Sequence, residues 1–204
     1  ENDAAVSKQV NVTVADDAQF AMFFDVSFVE DGIETIVTGN VGETVSYVYA
    51  NAGMVDIKVV LKGGAIETVE YVLEGFEVTE ILQPLASALT PASRNEVDYI
   101  SIFSDSYTTI EGSDYNPNWG QQTGYNLFDL NGDEMLQYST LNYQGINIGE
   151  TIDVTAMEYL HVDIWTPALV SVDIYPLQVG VPAEDEKFKT LDLVEGEWSS
   201  FDIP

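Results

Sequence analysis

Apolar and polar residues alternate along most of the chain, in short runs rich in Val, Ile, Thr, Tyr and Phe. A period of two puts apolar side chains on one face of an extended strand and polar ones on the other. Val10, Val12 and Val14 set the pattern in the first such run. Further runs span 20–28, 35–37, 44–49, 55–61 and 67–78, and Asp31-Gly32, Gly39-Asn40, Asn51-Ala52-Gly53 and Gly63-Gly64 read as turns between them. No segment carries its apolar residues at helical spacing. Many short strands separated by turn residues predict an all-β chain of β-sandwich type rather than an alternating β/α design.

The first unit is predicted to end at Leu82. Residues 83–95 hold Pro84, Pro91 and several small residues, the composition of a semi-rigid linker. This divides the chain into a domain over 1–82, a linker over 83–95 and a second domain over 96–204. In the second domain, Tyr99-Ile-Ser-Ile-Phe-Ser104 alternates as a strand does. Residues 105–125 are polar, studded with aromatics and broken by Gly112, Pro117 and Gly120, so they read as a long loop. Long ordered loops in compact domains are more often functional than decorative. Strand-like runs return at 135–138, 159–165, 170–175, 189–193 and 198–203.

Charge narrows the range of partners. The chain of 204 residues carries 35 acidic and 6 basic side chains, a net charge of −29. The acids are shared between both halves, 15 of them through Leu82 and 20 after it. Phosphate contact needs Lys and Arg, so nucleic acid is excluded as a partner, and anionic membranes and polyanionic glycans are repelled. The surplus reads as a solvated surface. There is no cysteine, hence no disulfide, no thiol chemistry and no cysteine-ligated metal. No run of about 18 apolar residues is present to span a bilayer as a helix. The chain opens at Glu1-Asn-Asp3 without a methionine, and the expectation is a processed protein whose leader and lipid-bearing residue are gone.

Two groups of residues could carry chemistry. In Tyr159-Leu-His-Val-Asp-Ile-Trp165, Leu160, Val162 and Ile164 share one strand face, and Tyr159, His161, Asp163 and Trp165 share the other. The run 170–175 repeats the pattern, with Val170, Val172 and Ile174 opposed to Ser171, Asp173 and Tyr175. Paired as a hairpin around Pro167, the two would present aromatics, an imidazole and two carboxylates on one surface. That mixture suits sugars, because rings cover C–H patches and polar groups bond hydroxyls. The alternative is that Trp165 or His161 packs under a loop. The second group is Tyr115-Asn-Pro-Asn-Trp-Gly-Gln121. Trp119 stands there among the amides Asn118 and Gln121, with little apolar sequence around it to bury the ring. Asn142-Tyr-Gln-Gly145 has the same grammar and offers Tyr143 as a third platform, with core packing as its alternative.

Ile100-Ser-Ile-Phe-Ser-Asp-Ser-Tyr107, Asp114-Tyr-Asn-Pro-Asn-Trp-Gly-Gln121, Leu141-Asn-Tyr-Gln-Gly145 and Met157-Glu-Tyr-Leu-His-Val-Asp-Ile-Trp165 together resemble a recurring carbohydrate-binding module of marine Bacteroidetes. Such modules occur beside laminarinase-type domains and in surface glycan-binding lipoproteins of polysaccharide-utilisation systems. The resemblance covers roughly 95–204. The first half resembles a PKD or Ig-like spacer more loosely, through Val45-Ser-Tyr-Val-Tyr-Ala-Asn-Ala-Gly53. The resemblance implies an N-terminal Ig-like (PKD-type) β-sandwich followed by a jelly-roll β-sandwich of galactose-binding type. It implies a neutral, laminarin-like β-glucan as ligand, a lipid-anchored place at the extracellular face of the outer membrane, and a glycan-import complex there as partner. Such modules usually continue for another pair of strands, whereas this chain stops at Asp202-Ile-Pro204, so a C-terminally truncated sandwich is expected. Many jelly rolls hold a structural calcium ion, for which Asp105, Glu111 and Asp114 are the candidate ligands. Asp129-Leu-Asn-Gly-Asp-Glu134 lacks EF-hand spacing and reads as a polar turn.

No catalytic arrangement stands out. With one histidine and no cysteine there is no Ser–His–Asp order, phosphate loop or histidine metal cluster. The glutamate–x–aspartate–x–x–glutamate strand typical of laminarinases is absent. Glu184-Asp-Glu186 lies in a polar, Pro-containing stretch. A non-catalytic glycan-binding protein is expected, with a glycoside hydrolase fragment (or an accessory module of one) and a protein-binding adhesive module as the alternatives.

Overall fold

The computed structural model describes residues 1–15, 21–63 and 68–204. The chain is all-β among these residues, with short 3-10 turns at Glu96–Asp98 and Ala183–Asp185 in place of helices. It divides into two compact units, Glu1–Leu82 and Gln83–Pro204. The starts of the runs expected from Phe20 and Glu67, and Gly64 of the Gly63-Gly64 turn, lie outside the described residues.

The first unit holds β1 (Gln9–Thr13), β2 (Phe23–Glu30), β3 (Ile33–Asn40), β4 (Thr44–Val48), β5 (Gly53–Lys62) and β6 (Val69–Val78). Strands β1 and β4 pair antiparallel, and a four-stranded sheet runs in the order β3-β2-β5-β6. The alternation read from sequence fixes what lies between the sheets. Phe24, Val26 and Phe28 leave one face of β2 and are fully buried against Val10, Val45, Tyr49, Ile57 and Val78. Val12 and Val14 pack against the same core. At Gly39 the two sheets close tightly: a Cβ there would stand 2.6 Å from Val45 Cγ1 and 3.0 Å from the Phe24 ring. Asp31 and Gly32 both have positive φ, 51° and 78°, between the paired residues Glu30 and Ile33. This is the type I′ geometry that matches the twist of a two-residue hairpin.

The second unit holds β7 (Gly124–Leu130), β8 (Asp133–Ser139), β9 (Leu160–Trp165), β10 (Ser171–Ile174), β11 (Lys189–Asp192) and β12 (Trp198–Ile203). They form three antiparallel pairs: β7 with β8, β9 with β12, and β10 with β11. Asn131 and Gly132, at φ 58° and 94°, turn β7 into β8, so the 129–134 stretch is a hairpin turn. Its own Asp129 carboxylate accepts the Gly132 N–H at 3.2 Å.

The hairpin expected between 159–165 and 170–175 does not form. Beyond Trp165 the chain is drawn off, because Thr166 bridges Glu195 and its carbonyl accepts the Gly196 N–H at 2.8 Å. β10 is thereby carried to β11. The chosen pairing gathers the apolar faces of both pairs into one cluster, Leu191, Leu193 and Ile203 with Leu160, Val162, Ile164, Val172, Ile174 and Phe201 around them. The predicted strand at 99–104 is also absent; Ser101 makes a single bridge to Thr109.

Tyrosine hydroxyls do much of the tying in this unit. Tyr115 donates to the Ile102 carbonyl and Tyr138 to the Tyr115 carbonyl, each at 2.8 Å, and Tyr107 donates to the Ala92 carbonyl. Burial pushes the Tyr138 phenol upward in pKa, so the hydroxyl stays a donor at any ordinary pH. Residues 83–95, the expected linker, belong to this unit and are held to it by three side chains. These are Tyr107 at Ala92, Trp198 Nε1 donating to the Ala86 carbonyl at 2.7 Å, and Arg94 Nη2 donating to the Tyr159 hydroxyl at 2.6 Å.

Candidate functional site

The loop before β7 is shaped by its own polar side chains. An antiparallel bridge between Asp114 and Asn147, with N–H···O distances of 2.7 and 2.9 Å, fixes its base. The Asp114 carboxylate then accepts the Asn116 N–H at 2.9 Å, which bends the chain into buried Pro117. Gln121 folds back over the turn: its carbonyl oxygen accepts the Trp119 N–H at 2.9 Å, and its amide nitrogen donates to Asn116 Oδ1 and to the Pro117 carbonyl. Such local side-chain bonds compete with regular structure and explain why this stretch forms no strand. Gln121 is therefore fully engaged in positioning the loop.

A second segment, 142–145, backs the first. Asn142 Oδ1 accepts the Gln122 N–H at 2.9 Å, and the Thr123 hydroxyl donates to the Tyr143 carbonyl at 2.8 Å. The Tyr143 hydroxyl in turn donates to the Trp119 carbonyl at 2.7 Å. Under the indole lies Gly145: a Cβ built there would fall 2.1 Å from Trp119 Cζ3 and 2.2 Å from Cε3. The ring thus rests on a backbone bare of side chain. It keeps 48 % of its surface exposed, and Tyr143 keeps 47 %. Asn118, beside the indole, is exposed and makes no hydrogen bond among the described residues, so its amide is available. Two half-open rings braced by hydrogen bonds, with a free amide at the edge, make a rigid surface that can stack on a flat, hydroxyl-bearing molecule.

His161, Asp163 and Trp165 come together on β9, on the face opposite its apolar residues. Register places Asp202 beside His161 and Trp198 beside Trp165. His161 is held at both nitrogens, Nδ1 against Asp202 Oδ1 at 2.7 Å and Nε2 against Asp163 Oδ2 at 3.2 Å. The Asp202 hydrogen bond, with Asp163 behind it, raises the imidazole pKa above its ordinary value against the opposing effect of burial. Trp165 is partly buried, and Trp198 is anchored through its indole N–H. Among the described residues no hydrogen bond or ring contact joins this group to the Trp119 loop.

Trp198 and Asp202 were not singled out from sequence, although Trp198-Ser-Ser-Phe-Asp-Ile203 alternates plainly enough to place both on one face. For the calcium candidates, Asp105 Oδ2 accepts the Glu134 N–H and Asp114 Oδ1 accepts the Asn116 N–H, each at 2.9 Å. Glu111 is exposed. Among the described residues, no three His, Asp or Glu side chains converge so as to hold a metal ion. No family model, no curated protein and no solved structure matches this chain.

Proposed function

We propose that this chain is a non-catalytic carbohydrate-binding protein whose second unit holds a neutral polysaccharide on the Trp119–Tyr143 surface. The observation that carries the reading is the Trp119 indole, seated on Gly145 and left half open beside an equally open Tyr143. An apolar ring costs free energy to leave in water, and a loop that braces one there through hydrogen bonds with Gln121 and Tyr143 suits capture of a ligand face. Trp119 and Tyr143 stack on sugar rings, and Asn118 bonds their hydroxyls. Gln121 acts through Trp119 as a positioning residue. The net charge of −29 favours a neutral ligand over a polyanion.

From the likeness of 95–204 to a carbohydrate-binding module and of the first half to a PKD or Ig-like spacer, we infer the following. The ligand is a laminarin-like β-glucan, the first unit is an Ig-like (PKD-type) spacer, and the second is a jelly roll of galactose-binding type. The protein then works as a lipid-anchored surface glycan-binding lipoprotein at the outer membrane, beside a glycan-import complex. Each ring contributes about 1 kcal/mol beyond area burial, so a single unit binds weakly and retention comes from long ligands and many copies.

Affinity electrophoresis through laminarin, mixed-linkage glucan, mannan and alginate tests this. Retardation by a neutral glucan that Trp119→Ala abolishes is expected. Retardation unchanged in Trp119→Ala overturns the assigned site. Release of reducing sugar turns the reading to a hydrolase, and indifference to every glycan turns it to an adhesive module.

A further inference from the structure

A second feature of the same unit lies between residues 90–96 and residues 99–108, where the chain encloses an open depression of about 490 Å³. That is within the usual range of small-ligand sites, about 300–1,000 Å³. Arg94, Glu96, Tyr99 and Tyr107 line it, together with hydroxyls such as those of Ser93 and Thr108. Tyr99 and Tyr107 stack on each other at 4.3 Å between centroids, and the Tyr107 hydroxyl is tied to the Ala92 carbonyl, so the aromatic wall is fixed from both sides.

Arg94 is the basic member. Of the six bases, Lys8, Lys58 and Lys62 each lie within ion-pair distance of a carboxylate. Among the described residues Arg94, like Lys187 and Lys189, has no carboxylate within that distance. Its partner is a neutral phenol: Nη2 donates to the Tyr159 hydroxyl at 2.6 Å, and the guanidinium carbon lies 6.0 Å from that ring's centroid. One donor orients the group and the remaining N–H bonds are free. A planar fork held in place without a carboxylate in ion-pair contact matches a carboxylate or sulfate in two-point contact. Glu96, in the same lining, can accept a hydroxyl and would repel a second negative charge, so the fit is to one anionic group on an otherwise neutral molecule.

We propose that this depression is a second carbohydrate site, specific for a sugar ring carrying a single anionic group, carboxylate or sulfate ester, clamped by Arg94. The ring lies against the Tyr99–Tyr107 wall, and its hydroxyls meet Glu96 and the serine and threonine hydroxyls. The site goes beyond the neutral-glucan reading and does not depend on Trp119.

Chemical-shift titration of the whole chain separates the two. Cellobiouronic acid, glucose 6-sulfate and neutral cellobiose are the probes, read at the Arg94 side chain and at Tyr99 and Tyr107. The acidic probes are expected to shift these resonances, with cellobiose at least about tenfold weaker, the weight of a charge-assisted hydrogen-bond pair. Arg94→Gln is expected to remove that difference, and Trp119→Ala to leave it intact even if glucan binding is lost. Arg94→Lys, which keeps the charge without the fork, serves where Arg94→Gln disturbs the fold and should bind with intermediate affinity. Shifts by only one of the two acidic probes would fix the anion as carboxylate or sulfate. Equal binding of cellobiose, wild-type binding in either Arg94 variant, or no shift with either acidic probe overturns the proposal.

Discussion

Replacing Gly145 by alanine adds one methyl group beneath the Trp119 indole and nothing else. Gly145 is not among the residues with positive φ, so alanine brings no backbone strain there. The collision is therefore with the ring alone. The new Cβ would fall 2.1 Å from Cζ3, where non-bonded carbons prefer about 3.5–4.0 Å, so the indole must withdraw by roughly 1.5 Å. Because the ring is 48 % exposed it has room to swing outward. The stability cost should then sit at the low end of overpacking, about 1 kcal/mol. Binding should suffer more in relative terms. Losing a correctly tilted platform removes about 0.5–1.5 kcal/mol of stacking, which weakens glucan affinity between about twofold and about tenfold. Calorimetry with laminarin oligosaccharides gives the affinity, a thermal melt gives the stability, and tryptophan emission reports the displaced ring. Wild-type affinity in Gly145→Ala, beside lost affinity in Trp119→Ala, would refute the claim that the glycine seat sets the platform.

Two further outcomes are expected away from that loop. The His161 imidazole, raised in pKa by Asp202 and Asp163, adds stability that is complete below its ordinary pKa of about 6.5 and is lost as pH rises through the higher folded value. The difference in urea midpoint between wild type and His161→Gln should shrink towards alkaline pH, and a difference constant across that range contradicts the double carboxylate clamp. Gly132 sits at φ +94° with open space where a Cβ would go, so Gly132→Ala pays conformational strain alone, about 1–2 kcal/mol by urea denaturation with glycan binding unchanged. A neutral or stabilising result would mean the turn relaxes out of its type I′ form.

Local rules made much of this molecule legible. Val10, Val12 and Val14 could be assigned to one face by alternation, and Asp31-Gly32 to a turn by its chemistry, because both properties reside in adjacent residues. Strand partners were not legible. Alternation assigns faces to 160–165 and 171–174 but does not say which strand lies beside each, and the nearest neighbour in sequence lost to β12, whose pairing lets two apolar faces share one cluster. The same limit applies at the candidate site. That Trp119 sits in a polar loop is visible in the string of residues around it. That Gly145, 26 positions later, carries the ring is a long-range fact. The amides misled in a second way, since Gln121 and Asn118 look alike in sequence, yet one is consumed in holding the turn and the other is free.

The tyrosine hydroxyls of the second unit carry a consequence for how its surface can change. Loops in this unit hang from carbonyls gripped by phenols rooted elsewhere, at Ile102, Tyr115, Trp119 and Ala92. A phenol asks of its loop only a carbonyl within reach and is indifferent to the side chain above it. Successive ligands could therefore be accommodated by rewriting the outward residues of each loop, with the strands below never learning of the change.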